Sequence, residues 1–247
     1  HPPWPASDAA EGLYAYLRTL RRERPPGGPF AYSSADTDVL GWVCERASGA
    51  RMAALVHDLL WEPMGAADDA ELLCDGVGTA VHDGGLAASV ADLARFGQLL
   101  LDGGAVGERQ VVPRRWIAST WAHDADVRQA FAASGAEAFL PGGWYRNQAW
   151  LRPGPFGDQL LCLGIHGQLV RVDPRTRTVA VKVSSWPTAQ DPVRLHDTLR
   201  TFDAMSAAAS GVTPSARRGE GARAVMTGKG DAARLDGGSA AGRDQPD

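Results

Sequence analysis

The sequence predicts an α+β domain, on three observations. Apolar residues recur at helical spacing as far as Trp121, the apolar period shortens to two after Trp144, and a last helical pattern begins at Pro192. With 247 residues and 44% hydrophobic side chains, the chain can bury a sizeable core. A net charge of -4 gives no electrostatic reason to expect nucleic acid or an acidic membrane as a partner.

The elements follow in order. Asp8 to Arg24 reads as a helix through Leu13, Tyr16, Leu17 and Leu20, with arginines at the end where the helix dipole favours cations. Pro25, Pro26 and Pro29, with Gly27 and Gly28, then impose a loop. Ser33 and Asp36 have capping-box spacing and open a second helix. Its predicted core stripe is Val39, Leu40, Val43, Cys44 and Ala47, and Gly49 ends it. A short helix over about Met52 to Leu60 stops before Pro63 and Gly65.

Four glycines between Asp75 and Gly85 mark an irregular passage. Ser89 and Asp92 cap a helix through Leu93, Phe96, Leu100 and Leu101 that ends at Gly103 and Gly104, and Pro113 to Trp121 reads as one more. Residues 122–141 lack a pattern. Leu160–Leu163 and Leu169–Val172 are apolar runs, and Val179, Val181 and Val183 alternate as a half-buried strand after the turn at Asp173-Pro174-Arg175. Pro192 to about Ala207 closes the domain with Val193, Leu195, Leu199, Phe202 and Met205 facing inward. The expected layout is one domain over 1–210, with a helical part over about 8–121 and the sheet and closing helix over about 142–208. Residues 211–247 form a tail too poor in large apolar side chains to order itself.

Cys44, Cys74 and Cys162 make neither a disulfide framework nor a CxxC pair, and are expected as reduced, packed thiols. That usage suits the cytoplasm, unless a signal segment precedes residue 1. No HExxH, phosphate loop, GxGxxG or Cys/His cluster occurs, so neither a metal nor a cofactor is expected. Without a GxSxG elbow, His166 has no serine to join in a triad.

Two segments carry candidate chemistry. Tyr32 lies just before a helix start: it either packs while Ser33 caps, or uses the helix's positive end to favour phenolate and move protons. Gly164-Ile165-His166-Gly167-Gln168 lies between two strands. It is either a plain bend or a segment whose backbone N–H groups meet a substrate oxyanion, with Gly167 allowing close approach.

Read together, five phrases resemble the serine β-lactamase and penicillin-binding-protein superfamily. They lie most like its class C-like branch of esterases and 6-aminohexanoate-dimer hydrolases. They are Phe30 to Gly41, Trp61-Glu62-Pro63-Met64-Gly65, Asp83 to Gly97, Tyr145-Arg146-Asn147-Gln148 and Gly164 to Gln168. The resemblance implies a serine hydrolase that cleaves amide or ester bonds of a small molecule through an acyl-enzyme. It implies that Tyr32 is the catalytic tyrosine. Ser34, His166, Gly167 and Gln168 would form the substrate-binding or oxyanion region, with Tyr145 and Asn147 at the cleft. His166 standing where the family can carry lysine points away from a β-lactam-specific enzyme, and Ser34 standing where many relatives carry asparagine bears on amide recognition at that point.

The family's Ser-x-x-Lys does not occur, since Val179 precedes Lys182 at that spacing and Met226 precedes Lys229. The expectation is therefore the C-terminal part of a β-lactamase-like fold, lacking N-terminal strands and the nucleophile helix and inactive by itself. A missing N-terminal segment of the same protein would be its partner. The alternative is a catalytically inactive binding or interaction module that retains the cleft, and a third reading is an unrelated α+β domain.

Overall fold

The computed structural model describes residues 12–213. Helix α1 (Leu13–Thr19) is shorter than its pattern predicts. Gly12, at φ 81°, stands outside helical geometry, and the Leu13 N–H is held at 2.6 Å by Asp75, which fixes the start. Helix α2 (Ser34–Ser48) begins and ends as predicted, with the Ser33 hydroxyl accepting from the Asp36 N–H and Gly49 left-handed at φ 73°.

The predicted inner face of α2 is the outer one. Val39, Leu40 and Val43 are exposed, while Asp38, Gly41 and Glu45 are buried. Those three positions do what apolar side chains could not. Asp38 accepts from the His82 and Asp83 N–H groups at 2.8 and 3.1 Å. Glu45 accepts from the Tyr14 hydroxyl at 2.6 Å and the Met52 N–H at 2.7 Å. Gly41 leaves room for the His82 ring, 2.1 Å from where a Cβ would sit.

Helix α3 (Met52–Val56) runs into a π-helical turn (His57–Trp61), and β1 (Glu71–Leu72) pairs with β2 (Leu86–Ala87). Helix α4 (Val90–Leu101) is capped by Ser89 as predicted. Its Asp92 is fully buried, yet accepts from the Ala67 and Asp68 N–H groups and from Arg95. A small hairpin, β3 (Ala105–Val106) and β4 (Arg109–Gln110), leads to α5 (Arg114–Trp121). The unpatterned stretch then forms α6 (Ala125–Ala132) and α7 (Ala136–Phe139), the first capped by Asp124.

Five consecutive antiparallel strands make the main sheet: β5 (Trp144–Arg146), β6 (Ala149–Pro153), β7 (Asp158–Leu163), β8 (Leu169–Asp173) and β9 (Thr178–Lys182). Helix α8 (Pro192–Ser210) closes the fold. Alternate residues of each strand face opposite sides. On one face Leu161 and Leu169 pack with Leu195, Leu199 and Phe202 of α8 and Phe131 of α6. On the other, Trp144, Leu151, Leu160 and Val172 meet Leu100 and Leu101 of α4 and Trp121 of α5.

The α+β class is as expected; the fold as a C-terminal part lacking its N-terminal strands is not. The sheet draws all its strands from 144–182, its two faces are covered by helices of this chain, and the α+β fold runs through the described residues. A missing sequence motif was a poor guide to missing strands, because the motif reports chemistry and the sheet is held by packing.

Cys44 and Cys74 are exposed rather than packed. Cys162 lies against the second core cluster, and burial pushes its thiol up to about 11. The expected disordered tail lies, beyond residue 213, outside the described residues. Among the described residues, no helix is long and apolar enough to cross a membrane.

Candidate active site

Strand order decides which loops meet. The β5–β6 turn at Asn147-Gln148 and the β7–β8 turn at Gly164–Gln168 lie at one end of the sheet, since β6 and β7 are antiparallel neighbours. Tyr32 sits at that end. Its ring stacks on Trp150 at 5.6 Å and meets Tyr145 edge-on at 6.0 Å, with Phe30 beneath both. Trp150, Tyr145, Leu163 and Trp186 all pack on the same core cluster, so the tyrosine and the Gly164–Gln168 turn share one aromatic base. Among the described residues, no hydrogen bond joins Tyr32 to His166.

The Tyr32 phenol is about half exposed (49%). Its pKa is raised, first by partial burial and then by the carboxylates of Asp83 and Asp38, against a hydrogen bond from Ser34 that lowers it. The phenolate expected from the helix start is therefore disfavoured. The aromatic base and two acidic side chains outweigh the helix end, and Tyr32 is a phenol at neutral pH.

The β7–β8 turn is tied to the segment 184–189 by hydrogen bonds. His166 is left-handed at φ 56°, and its Nδ1 lies 2.8 Å from the Trp186 carbonyl, to which it donates. Gly167 is buried at φ 84°, and a Cβ there would lie 2.3 Å from Trp186 Cε2 and 2.5 Å from Ser184 Oγ. The His166 N–H donates to the Ala189 carbonyl at 2.9 Å and the Gln168 N–H to the Ile165 carbonyl at 3.4 Å. Gln168 clasps the Ser184 backbone through both ends of its amide. Gln168 thus holds the turn in place with its side chain.

The remaining predicted residues divide. The Tyr145 hydroxyl donates to Gln148 Oε1 at 2.8 Å, and Gln148 also accepts from Thr37 at 3.1 Å, tying α2 to the β5–β6 turn. Burial, with Tyr32 and Cys162 nearby, holds the Tyr145 phenol well above its ordinary pKa. Asn147 turns away, its amide donating to Ser119 and Thr120 of α5 at 2.9 Å each.

Sequence reasoning missed Lys182 and Ser184. The ammonium sits 2.5 Å from Ser184 Oγ, 3.3 Å from the Gly167 carbonyl and 4.6 Å from the Trp186 ring centre, while Ser184 also donates to the His166 and Gly167 carbonyls. Desolvation, then Arg194, lowers the lysine's pKa. The available signal was register, because Lys182 pairs with Leu169 directly after the turn.

The family model described as Beta-lactamase matches residues 1–204. A 6-aminohexanoate-dimer hydrolase of Paenarthrobacter ureafaciens is 38% identical over 183 residues, covering 74% of this chain and 45% of that protein. A Bacillus anthracis structure provisionally named 6-aminohexanoate-dimer hydrolase superposes with TM-score 0.69 at 24% identity, covering 79% of this chain and 48% of that one. Simvastatin synthase from Aspergillus terreus gives TM-score 0.60 at 14% identity, covering 86% and 64%. The chain spans about half the length of the first two relatives. The family match takes in the helical part and the sheet together, and the described residues form a well-packed α+β domain, which corrects the expectation of an inactive C-terminal fragment.

Proposed function

The chain belongs to the beta-lactamase family, and from that premise we propose that it serves as a hydrolase of amide or ester bonds in a small molecule. The single observation that carries the reading is the placement of a protonated Tyr32 phenol at the same end of the sheet as the braced Gly164–Gln168 turn. A phenol in that state donates a proton, so Tyr32 protonates the departing amine or alcohol as the acyl C–N or C–O bond breaks, while the acyl group takes the oxygen of water and a proton of that water restores the phenol. The turn is the surface on which the substrate carbonyl rests. Its His166 and Gln168 N–H groups are already engaged, and that of Gly167 closes the 3-10 turn over Ile165–Gly167, which leaves the oxyanion to the Ile165 N–H. No residue is assigned as nucleophile, since Ser-x-x-Lys spacing does not occur in the sequence.

The similarity to a protein named as a 6-aminohexanoate-dimer hydrolase directs the substrate class to acyl compounds of that kind. Steady-state hydrolysis of 4-nitrophenyl esters and of short amides tests the reading. Tyr32→Phe should lower kcat by about 10²–10⁴-fold, the size of a lost general acid, with a smaller change in KM. A kcat untouched by that substitution would overturn the role of Tyr32.

A further inference from the structure

A groove of about 580 Å³ opens between α4, α5 and the other end of the sheet, where Asp158 begins β7 and Pro174-Arg175 turn β8 into β9. It is thus separated from Tyr32 by the length of the strands. Its floor is Leu100, Leu101, Ile117 and Trp121. Ile117 is buried, and the other three rest on the Trp144–Leu151–Leu160–Val172 cluster, so the floor is supported from below. The volume lies within the roughly 300–1,000 Å³ of small-molecule sites.

The charges on the rim are unequal. Asp102 is held by Arg177 at 2.7 Å, and the Asp158 carboxylate lies 3.8 Å from His123 Nε2. Arg114 and Arg175 line the groove, and neither has a carboxylate partner among the described residues. A neutral ligand would use the floor alone, and a small inorganic anion the guanidiniums alone. A docked protein would cover roughly 800 Å² on its side, far more than these ten lining residues offer. One ligand class uses both features.

We propose that this groove binds an amphipathic monocarboxylate, its alkyl body on Leu100, Leu101, Ile117 and Trp121 and its carboxylate between Arg114 and Arg175. The site stands independently of the hydrolase reading. Calorimetric titration with octanoate and with octanamide, which keeps the body and removes the charge, tests it. The proteins are wild type, Arg114→Gln/Arg175→Gln, and Ala118→Phe, which places a ring in the groove from the exposed side of α5. Saturable one-to-one binding of octanoate is expected, weaker by tenfold or more for octanamide and for the double variant. Ala118→Phe should abolish it with thermal melting unchanged. Absence of saturable octanoate binding to wild type, equal affinity for acid and amide, or binding that survives Ala118→Phe would each overturn the site.

Discussion

A phenol that stays protonated holds a proton to give, and giving one is the role proposed for Tyr32. Its pKa is raised above the ordinary 10.0, so any rate that depends on the protonated form persists to alkaline pH and is lost only as pH rises through the folded value. The alkaline limb of kcat should therefore lie above 10.0 in wild type and vanish in Tyr32→Phe; a limb near neutrality would contradict it. Asp92 gives the opposite sign. Hydrogen bonds from the Ala67 N–H first, then from the Ser89 hydroxyl, the Asp68 N–H and the Arg95 guanidinium, hold it at about 2. A depressed folded pKa adds stability above the unfolded value near 4, and that stability is lost as pH falls towards 2. Urea midpoints of wild type should fall between pH 4 and 2 more steeply than those of Asp92→Asn. Gly167→Ala should cost about 1–3 kcal/mol through overpacking and strain at positive φ, read as a lower midpoint. The helix start beside Tyr32 and the glycine-flanked bend at Gly167 were legible in the sequence because both have short-range signatures. Lys182 was not, since only strand pairing brings it to Gly167.

At the scale of elements, capping was readable and burial was not. Ser33 and Ser89 cap α2 and α4 as their spacing predicts, because a cap needs only residues three apart. The buried face of α2 is chosen by distant polar partners, the His82 and Asp83 N–H groups and the Tyr14 hydroxyl, which no helical period records. Two substitutions separate the faces. Val43→Lys should change stability by less than about 0.5 kcal/mol, as on an ordinary surface, whereas Gly41→Ala should cost about 1–3 kcal/mol by driving a methyl into the His82 ring. Chemical denaturation of both checks this, and equal effects would contradict the assigned face. Helices α6 and α7 escaped prediction because they are short, with little of their surface buried.

Across the whole molecule, the sheet and α8 are joined by a buried polar cluster as well as by apolar packing. Asp203 of α8 accepts from Arg171 at 3.0 Å, Arg152 at 2.7 Å and Gln159 at 2.9 Å, and Arg171 is fully buried. Asp203→Ala would strand that guanidinium, at a cost of about 3–5 kcal/mol, and should lower the melting temperature far more than removal of the exposed pair partner in Asp197→Ala. The sequence revealed the α+β class through its change of period. It gave no view of this cluster, in which Asp203 lies 32 to 51 residues from its partners. The hydrolase reading rests on the whole arrangement, since Tyr32 and the β7–β8 turn come together only through the sheet. Hydrolysis of a short amide, followed as released amine, tests it most directly. The account predicts release well above the buffer rate by wild type and a rate lower by about 10²–10⁴-fold in Tyr32→Phe. Release at the buffer rate, or equal release by both proteins, would contradict it.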